Sequence, residues 1–346
     1  MNIGILKPDH LGDLVLAAPA VAALERTYGT ATLFCHPNSA GLARHLFPKL
    51  TVETILFPHL DKEQHLAPGA PSVPTPQAAV ERMKGLDKLF CLRWDGEIEP
   101  VLRNNGIQFV GPKKALNDEH AAVENRNTVE GHTGHYDIFT SYRHAEAVVP
   151  IYRPSGVKRI GLCISAGFRL NAWPMSHWLS LAERLGSDGM EITFIGGPAE
   201  ATRLEILRGA YEDASGRRAG VIMGGRNFGE FFKTVAASLD LIVATDSGTA
   251  HLVSLVRPVI SLFGGTPWRR FSPIGKFNVV LSRRYRCSPC MQFNRRAINS
   301  CTAQECLNNL FPQQVYEGVQ MYLSGVDFSR EMQAGGIWIS RAPIPA

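Results

Sequence analysis

No apolar run in this 346-residue sequence approaches the ~18 residues that a membrane-spanning helix needs. The opening stretch, Met1-Asn2-Ile3-Gly4-Ile5-Leu6-Lys7, has neither the basic region nor the long apolar segment of a secretory signal. It reads as a first strand, and a cytoplasmic protein is the expectation. Charge of one sign is also scarce: 36 Lys and Arg against 31 Asp and Glu leave a net charge of +5, not concentrated in one block. No basic stripe with interleaved aromatics occurs, so nucleic acid is not an expected partner. A mildly basic surface suits an anionic substrate or a peripheral visit to an anionic membrane. No repeat of short period and no G-x-G-x-x-G fingerprint is present, which argues against a nicotinamide dehydrogenase.

Cysteine is sparse, yet four of the seven fall late, at Cys287, Cys290, Cys301 and Cys306. In a reducing compartment such a cluster points to metal before disulfide. The spacing is not that of a standard zinc finger. Three readings stand: a structural zinc or iron held by the four thiolates, packed reduced thiols, or disulfides. His120, His132, His135 and His144 read as solvated loop histidines, because no carboxylate is suitably spaced to join them in a metal site.

At roughly 150 residues per domain, the length suits two domains. Strand and helix alternate in both halves, the pattern of an α/β protein with parallel sheets. Strands are expected at 3–7, 31–35, 51–57, 87–92 and 107–110, with a helix over 13–28. Residues 58–76 hold five prolines and read as a loop; residues 120–134, polar and aperiodic, read as a surface loop. A linker is expected at 150–157. The alternation then restarts, with strands at 159–164, 191–195, 241–245 and 259–263. Helices are expected at 174–185, 199–209, 228–238 and on through 251–255. The resulting domains are 1–150, 158–325 with the cysteine-bearing segment 287–306, and a tail at 326–346. A cleft between two such domains is the default ligand site.

Three strand-to-helix junctions carry the chemistry. Lys7-Pro8-Asp9-His10-Leu11-Gly12-Asp13 leaves the first strand where open α/β sheets bind ligands. Gly12 permits close approach. Asp13 is either an N-cap or a general base for an incoming hydroxyl. The stretch Ile164-Ser165-Ala166-Gly167-Phe168-Arg169 is either a plain turn or a phosphate contact completed by Arg169. Thr245-Asp246-Ser247-Gly248-Thr249-Ala250-His251 offers helix-start amides and two hydroxyls to an anion. Its bland reading is a capped helix with a buried histidine. Asp246 suits sugar hydroxyls better than phosphate, and His251 either touches phosphate or anchors the loop.

Together these segments resemble glycosyltransferase family 9, the ADP-heptose:lipopolysaccharide heptosyltransferases. The matching stretches are Leu11-Gly12-Asp13, Trp173-Pro174, Gly196-Gly197-Pro198 with Glu200, and Asp246 through Leu252. Arg257 to Gly264 and Ser272 to Gly275 follow in the same order. The resemblance implies a GT-B fold, two Rossmann-like domains facing across a cleft, acceptor in the first and donor in the second. It implies an inverting transfer that needs no metal, from a nucleotide sugar, ADP-heptose favoured, to a saccharide or glycolipid acceptor. Peripheral contact with the cytoplasmic face of the inner membrane is compatible with it. Asp13 falls on the family's base, Ser247, Gly248 and Thr249 on the diphosphate loop, and Asp246 on a donor-sugar contact. Glu200 falls on the ribose contact and Asn227 near the nucleobase. Ser165 and His251 join the donor side; Lys7, His10 and Gly12 line the acceptor side or the cleft. The family often has lysine two residues before Trp-Pro, where this chain has Asn171; Arg169 or Lys7 is the expected substitute. Other nucleotide sugars, a protein acceptor, or a non-catalytic sugar-nucleotide binder are the alternatives.

Overall fold

Strand β1 (Ile3–Lys7) is buried along its whole length. An unbroken apolar run is what a strand covered on both faces requires. With β2 (Thr32–Cys35), β3 (Thr51–Thr54), β4 (Lys88–Cys91) and β5 (Phe109–Val110) it forms a sheet of order β3-β2-β1-β4-β5, parallel throughout. The structure, a computed structural model, describes residues 1–56, 76–93, 98–112, 119–138, 156–225, 227–274, 277–290 and 301–341. Nearly all of the proline-rich stretch 58–76, the linker's 150–155, His144 and Gly275 lie outside these residues. The chain divides into two compact units, Met1–His144 and Ala145–Ile344.

The helices of the first unit are α1 (Leu11–Tyr28), α2 (Ala40–Leu46), α3 (Pro76–Lys84), α4 (Ile98–Asn104) and α5 (Ala121–Thr133). Buried positions on α1 run almost continuously from Gly12 to Leu24, because the sheet and α5 both pack on it. It stops at Gly29, whose φ of 77° favours a residue without Cβ and whose amide donates to Glu25 O at 2.9 Å. Helix α5 corrects the loop expected at 120–134. Its buried face is Ala121, Ala122, Glu124, Asn125 and Val129, a stripe at helical spacing but made largely of small and polar residues. His120 is not solvated: it is 5% exposed, and its Nδ1 accepts from the Ala122 amide as the helix cap. His132 lies with its ring 5.2 Å from that of Phe90, while His135 pairs with Glu130.

In the second unit, β6 (Arg159–Cys163), β7 (Glu191–Gly196), β8 (Gly220–Met223), β9 (Leu241–Thr245), β10 (Val259–Phe263) and β11 (Val279–Ser282) are parallel, in the order β8-β7-β6-β9-β10-β11. That is the Rossmann order. Two antiparallel strands, β12 (Met332–Ala334) and β13 (Ile337–Arg341), extend it past β11; the segment expected as a tail supplies them. The helices are α6 (Met175–Ser187), α7 (Ala201–Ser215), α8 (Phe228–Ser238), α9 (Gly248–Ser254), α10 (Trp268–Phe271), α11 (Glu305–Asn308) and α12 (Pro312–Leu323). Helix α6 buries Trp178, Leu181, Ala182 and Leu185, one stripe at helical spacing, in the same apolar core as Ile160, Leu162, Phe194 and Val243. Among the described residues no helix is long and apolar enough to cross a membrane.

Strand order reverses beside β1 in the first sheet and beside β6 in the second. Such reversals open a crevice at the carboxyl ends of the strands. The loops leaving β1, β6 and β9 are the three junctions singled out in the sequence.

Candidate functional site

In the first unit, the Lys7 side chain is 7% exposed. Its ammonium lies 2.9 Å from Asp9 Oδ2 and donates to Leu92 O at 2.9 Å. Arg93, just past β4, pairs with Asp9 Oδ1. Lys7 is therefore engaged inside its own unit. Helix α1 begins earlier than expected: Leu11 and Gly12 are already helical and the N-cap is His10. Asp13 sits in the first turn and does not cap the helix, which removes the bland reading of that residue. His10 stacks at a tilt on His36, ring centres 5.7 Å apart.

The two carboxylates in this loop are driven in opposite directions. Burial would raise the Asp9 pKa, but the charges of Lys7 and Arg93 outweigh it and hold the group below its ordinary value. Burial raises Asp13, and the charge of Asp9 raises it further, against the pull of Lys7, His10 and Arg93. Carboxylates whose environments separate them in this way divide their roles: one is a fixed charge, the other can exchange a proton.

In the second unit the bonds around β6 and β9 gather most of the expected donor residues. Thr245 Oγ1 donates to Ser165 O at 2.8 Å, and Ser165 Oγ to Glu200 Oε2 at 3.2 Å. Glu200 also accepts from the Gly197 amide at 2.7 Å. Asn171 Nδ2 donates to Asp246 Oδ2 at 2.9 Å, and Thr266 Oγ1 to Asn171 Oδ1 at 3.3 Å. His251, 4% exposed, has Nε2 4.0 Å from Asp246 Oδ1. Ser247 caps α9 by accepting from the Ala250 amide at 3.2 Å, and its O–H remains a donor. The amides of Gly248 and Thr249 begin the helix and have no intrahelical acceptor.

Two expected donor residues are used differently. Arg169 is exposed and donates to Cys301 O at 3.1 Å. Asn227 caps α8 by accepting from Glu230 N at 3.1 Å. Conversely, Asn171 and Thr266 enter the site without having been singled out as contacts. In the sequence Asn171 is marked only by standing where lysine is common. Thr266 lies in the permissive Gly264-Gly265-Thr266 turn, which was a usable signal.

The four late cysteines are free thiols. Among the described residues no group of three or more His, Cys, Asp or Glu is arranged to hold a metal. The thiols still feel one another: burial, then Cys290, Cys301 and Cys287, push Cys306 up to about 11. Cys290 and Cys306 flank one turn, since Cys290 N donates to Gly265 O at 2.9 Å and a Cβ on Gly264 would come within 2.9 Å of Cys306 Sγ.

A family described as glycosyltransferase family 9 (heptosyltransferase) matches residues 129–299, spanning the Ser165, Glu200 and Asp246 loops. Lipopolysaccharide heptosyltransferase 1 of Pseudomonas aeruginosa is 29% identical over 134 residues, 38% of this chain. That match spans about a third, 34%, of the relative's length. E. coli heptosyltransferase WaaC, solved with ADP, has a TM-score of 0.62 at 15% identity, covering 93% of this chain and all (100%) of that one. TibC, an iron-containing dodecameric glycosyltransferase from enterotoxigenic E. coli, has a TM-score of 0.56 at 13% identity, covering 94% of this chain and 76% of that one. The fold is thus GT-B, as the resemblance implied. With the family match falling on the very loops that build the second-unit site, the chain is similar to glycosyltransferase family 9 across residues 129–299, a heptosyltransferase-like protein.

Proposed function

We propose that this protein transfers a sugar, ADP-heptose being the favoured donor, to a saccharide or glycolipid acceptor, with inversion at the anomeric carbon. The observation that carries the reading is the pair of switch-point loops. One holds a carboxylate, Asp13, whose proton affinity is raised; the other holds hydroxyls, helix-start amides and an Asp fixed by Asn171. The acceptor hydroxyl attacks the anomeric carbon as Asp13 takes its proton. The bond to the diphosphate breaks, and its oxygen is received by Ser247, Gly248 and Thr249. Asp246 accepts from donor-sugar hydroxyls. Glu200, beside Ser165, takes the ribose, and Asn227 lies toward the nucleobase. Arg169 turns from the Cys301 carbonyl to the diphosphate, while Lys7 stays with Asp9. His10 and Gly12 border the acceptor. Oriented dipoles aimed at a leaving anion are usually the largest catalytic contribution.

Incubation with a panel of ADP-, UDP- and GDP-sugars, with and without acceptor extract, tests the proposal. Acceptor-dependent release of one nucleotide is expected; no release from any donor by folded protein sinks it. Asn171→Ala should weaken nucleotide-sugar binding about tenfold, because Asp246 loses a charge-assisted bond. Calorimetric Kd values check this, and an unchanged Kd would take Asn171 out of the donor site. Cytoplasmic action with peripheral membrane contact belongs to the same proposal, and co-sedimentation with anionic vesicles checks that contact.

Cys287, Cys290, Cys301 and Cys306 are proposed as a structural, not catalytic, seat for zinc or iron that closes round the ion on binding, since the free thiols are not arranged as ligands beforehand. Their mutual electrostatic coupling supports this, as does the iron of the TibC neighbour. Metal would displace thiol protons and tie two chain segments together. Protein purified without chelator should carry about one metal ion per chain. Metal-free protein with four reactive thiols and an unchanged melting temperature would remove the assignment.

A further inference from the structure

Lys7, Asp9 and Arg93 form a charged cluster whose field reaches Asp13. Lys7 and Asp9 are 7% and 8% exposed. The ammonium of Lys7 stands 2.9 Å from one Asp9 oxygen, and Arg93 pairs with the other. Buried charges persist when they are paired, and here one carboxylate takes two cations. Those cations come from the last residue of β1 and the second residue past β4, the two chain ends at the switch point. Without Asp9 the remaining carboxylate in the loop is Asp13.

We infer that Asp9 is a positioning residue: it occupies Lys7 and Arg93 so that the Asp13 carboxylate stays out of an ion pair and available to an acceptor hydroxyl. The inference rests on Asp13 acting as base in the proposed transfer. The groups acting on Asp13 are Asp9, Lys7 and His10 from its own loop and Arg93 from the end of β4. Burial and Asp9 raise its pKa; Lys7, His10 and Arg93 lower it. Removing the Asp9 charge takes away one raising influence and unmasks two lowering ones, so the shift is downward. Removing Arg93 has the opposite sign.

The test is a paired titration of Asp9→Asn and Arg93→Gln. The Asp13 carboxyl is followed by NMR of ¹³C-aspartate protein, assigned with Asp13→Asn, beside the acid limb of kcat/KM against pH. Asp9→Asn should move both down by about one pH unit, and Arg93→Gln should move both up. Damaged folding lowers turnover in both variants but does not give shifts of opposite sign. If Asp9→Asn does not fold, the upward shift in Arg93→Gln carries the test. An Asp13 titration that is unmoved, or moves the same way in both, overturns the inference. A titration that moves while the acid limb stays fixed supports the Asp9 role and sinks the assignment of Asp13 as base.

Discussion

Replacing Asp13 by asparagine should lower turnover by at least about 100-fold, the usual scale for losing a general base, and leave nucleotide-sugar affinity unchanged. Asparagine keeps the shape and removes the proton acceptor. The proposed donor contacts at Asp246 to Thr249 belong to the second unit and should lose nothing. The same variant should not be less stable. A carboxyl whose folded pKa is raised favours the protonated state in the native protein. Its ionisation therefore costs stability, beginning as pH rises past the unfolded value near ~3.9 and complete above the folded value. Asp13→Asn removes that cost, so its melting temperature should equal or exceed the parent's at neutral pH, with the difference closing toward pH 3. Asparagine caps a helix about as well as aspartate, so no capping loss offsets this gain, and the cap position belongs to His10. Turnover within tenfold of the parent, at equal donor affinity, would withdraw the base assignment.

Much of this arrangement is legible in the residues alone. Strand β10 and helix α8 lie where the apolar pattern puts them, because a covered strand and an amphipathic helix each leave a local period. The Asp246 to His251 loop announces itself by small and hydroxylated residues after an apolar strand. Helix α5 is not legible by hydrophobicity, since Ala122 and Asn125 do the packing and Asn125 Nδ2 reaches Leu16 O on α1 at 3.5 Å. Asn171 shows the other limit. Its partners, Asp246 and Thr266, lie 75 and 95 positions away, and no local pattern encodes them. By itself it reads as a missing charge. In the fold it is a neutral tie that orients a carboxylate, which replaces a question about absent lysine with one about how Asp246 is held. Lys7 and Asp9 are close in sequence, but Arg93, which completes the cluster, comes from the end of β4, 84 positions beyond Asp9.

Trp178→Ala should be the most destabilising single change in the second unit, at about 3–5 kcal/mol. Trp178 is fully buried at 0% exposure and meets the Trp173 ring edge-on, with centres 4.7 Å apart. Its truncation opens a cavity beneath the β-sheet core that contains Leu181, Leu185 and Phe194. Its Nε1 has no hydrogen-bond partner among the described residues. Trp178→Phe should therefore cost less than about 1.5 kcal/mol, since it removes an unsatisfied N–H along with part of the ring. Trp173 differs, because its Nε1 donates to Leu310 O at 2.8 Å. The Trp-Pro pair that looks like a functional signature is thus, at its Trp, a structural anchor. It bears on the site through the chain: Ala172 O accepts from Gln304 Nε2 at 2.7 Å, and Asn171 comes next. Loosening Trp173 from below frees the Asn171 tie to Asp246. Trp178→Ala should therefore weaken donor binding at temperatures where it remains folded, whereas Trp178→Phe should not. Urea unfolding and donor calorimetry on both variants separate the two effects. A Trp178→Ala protein within 1 kcal/mol or so of the parent would mean that the cavity collapses, and the support for Asn171 would then have to come from Thr266 and Gln304.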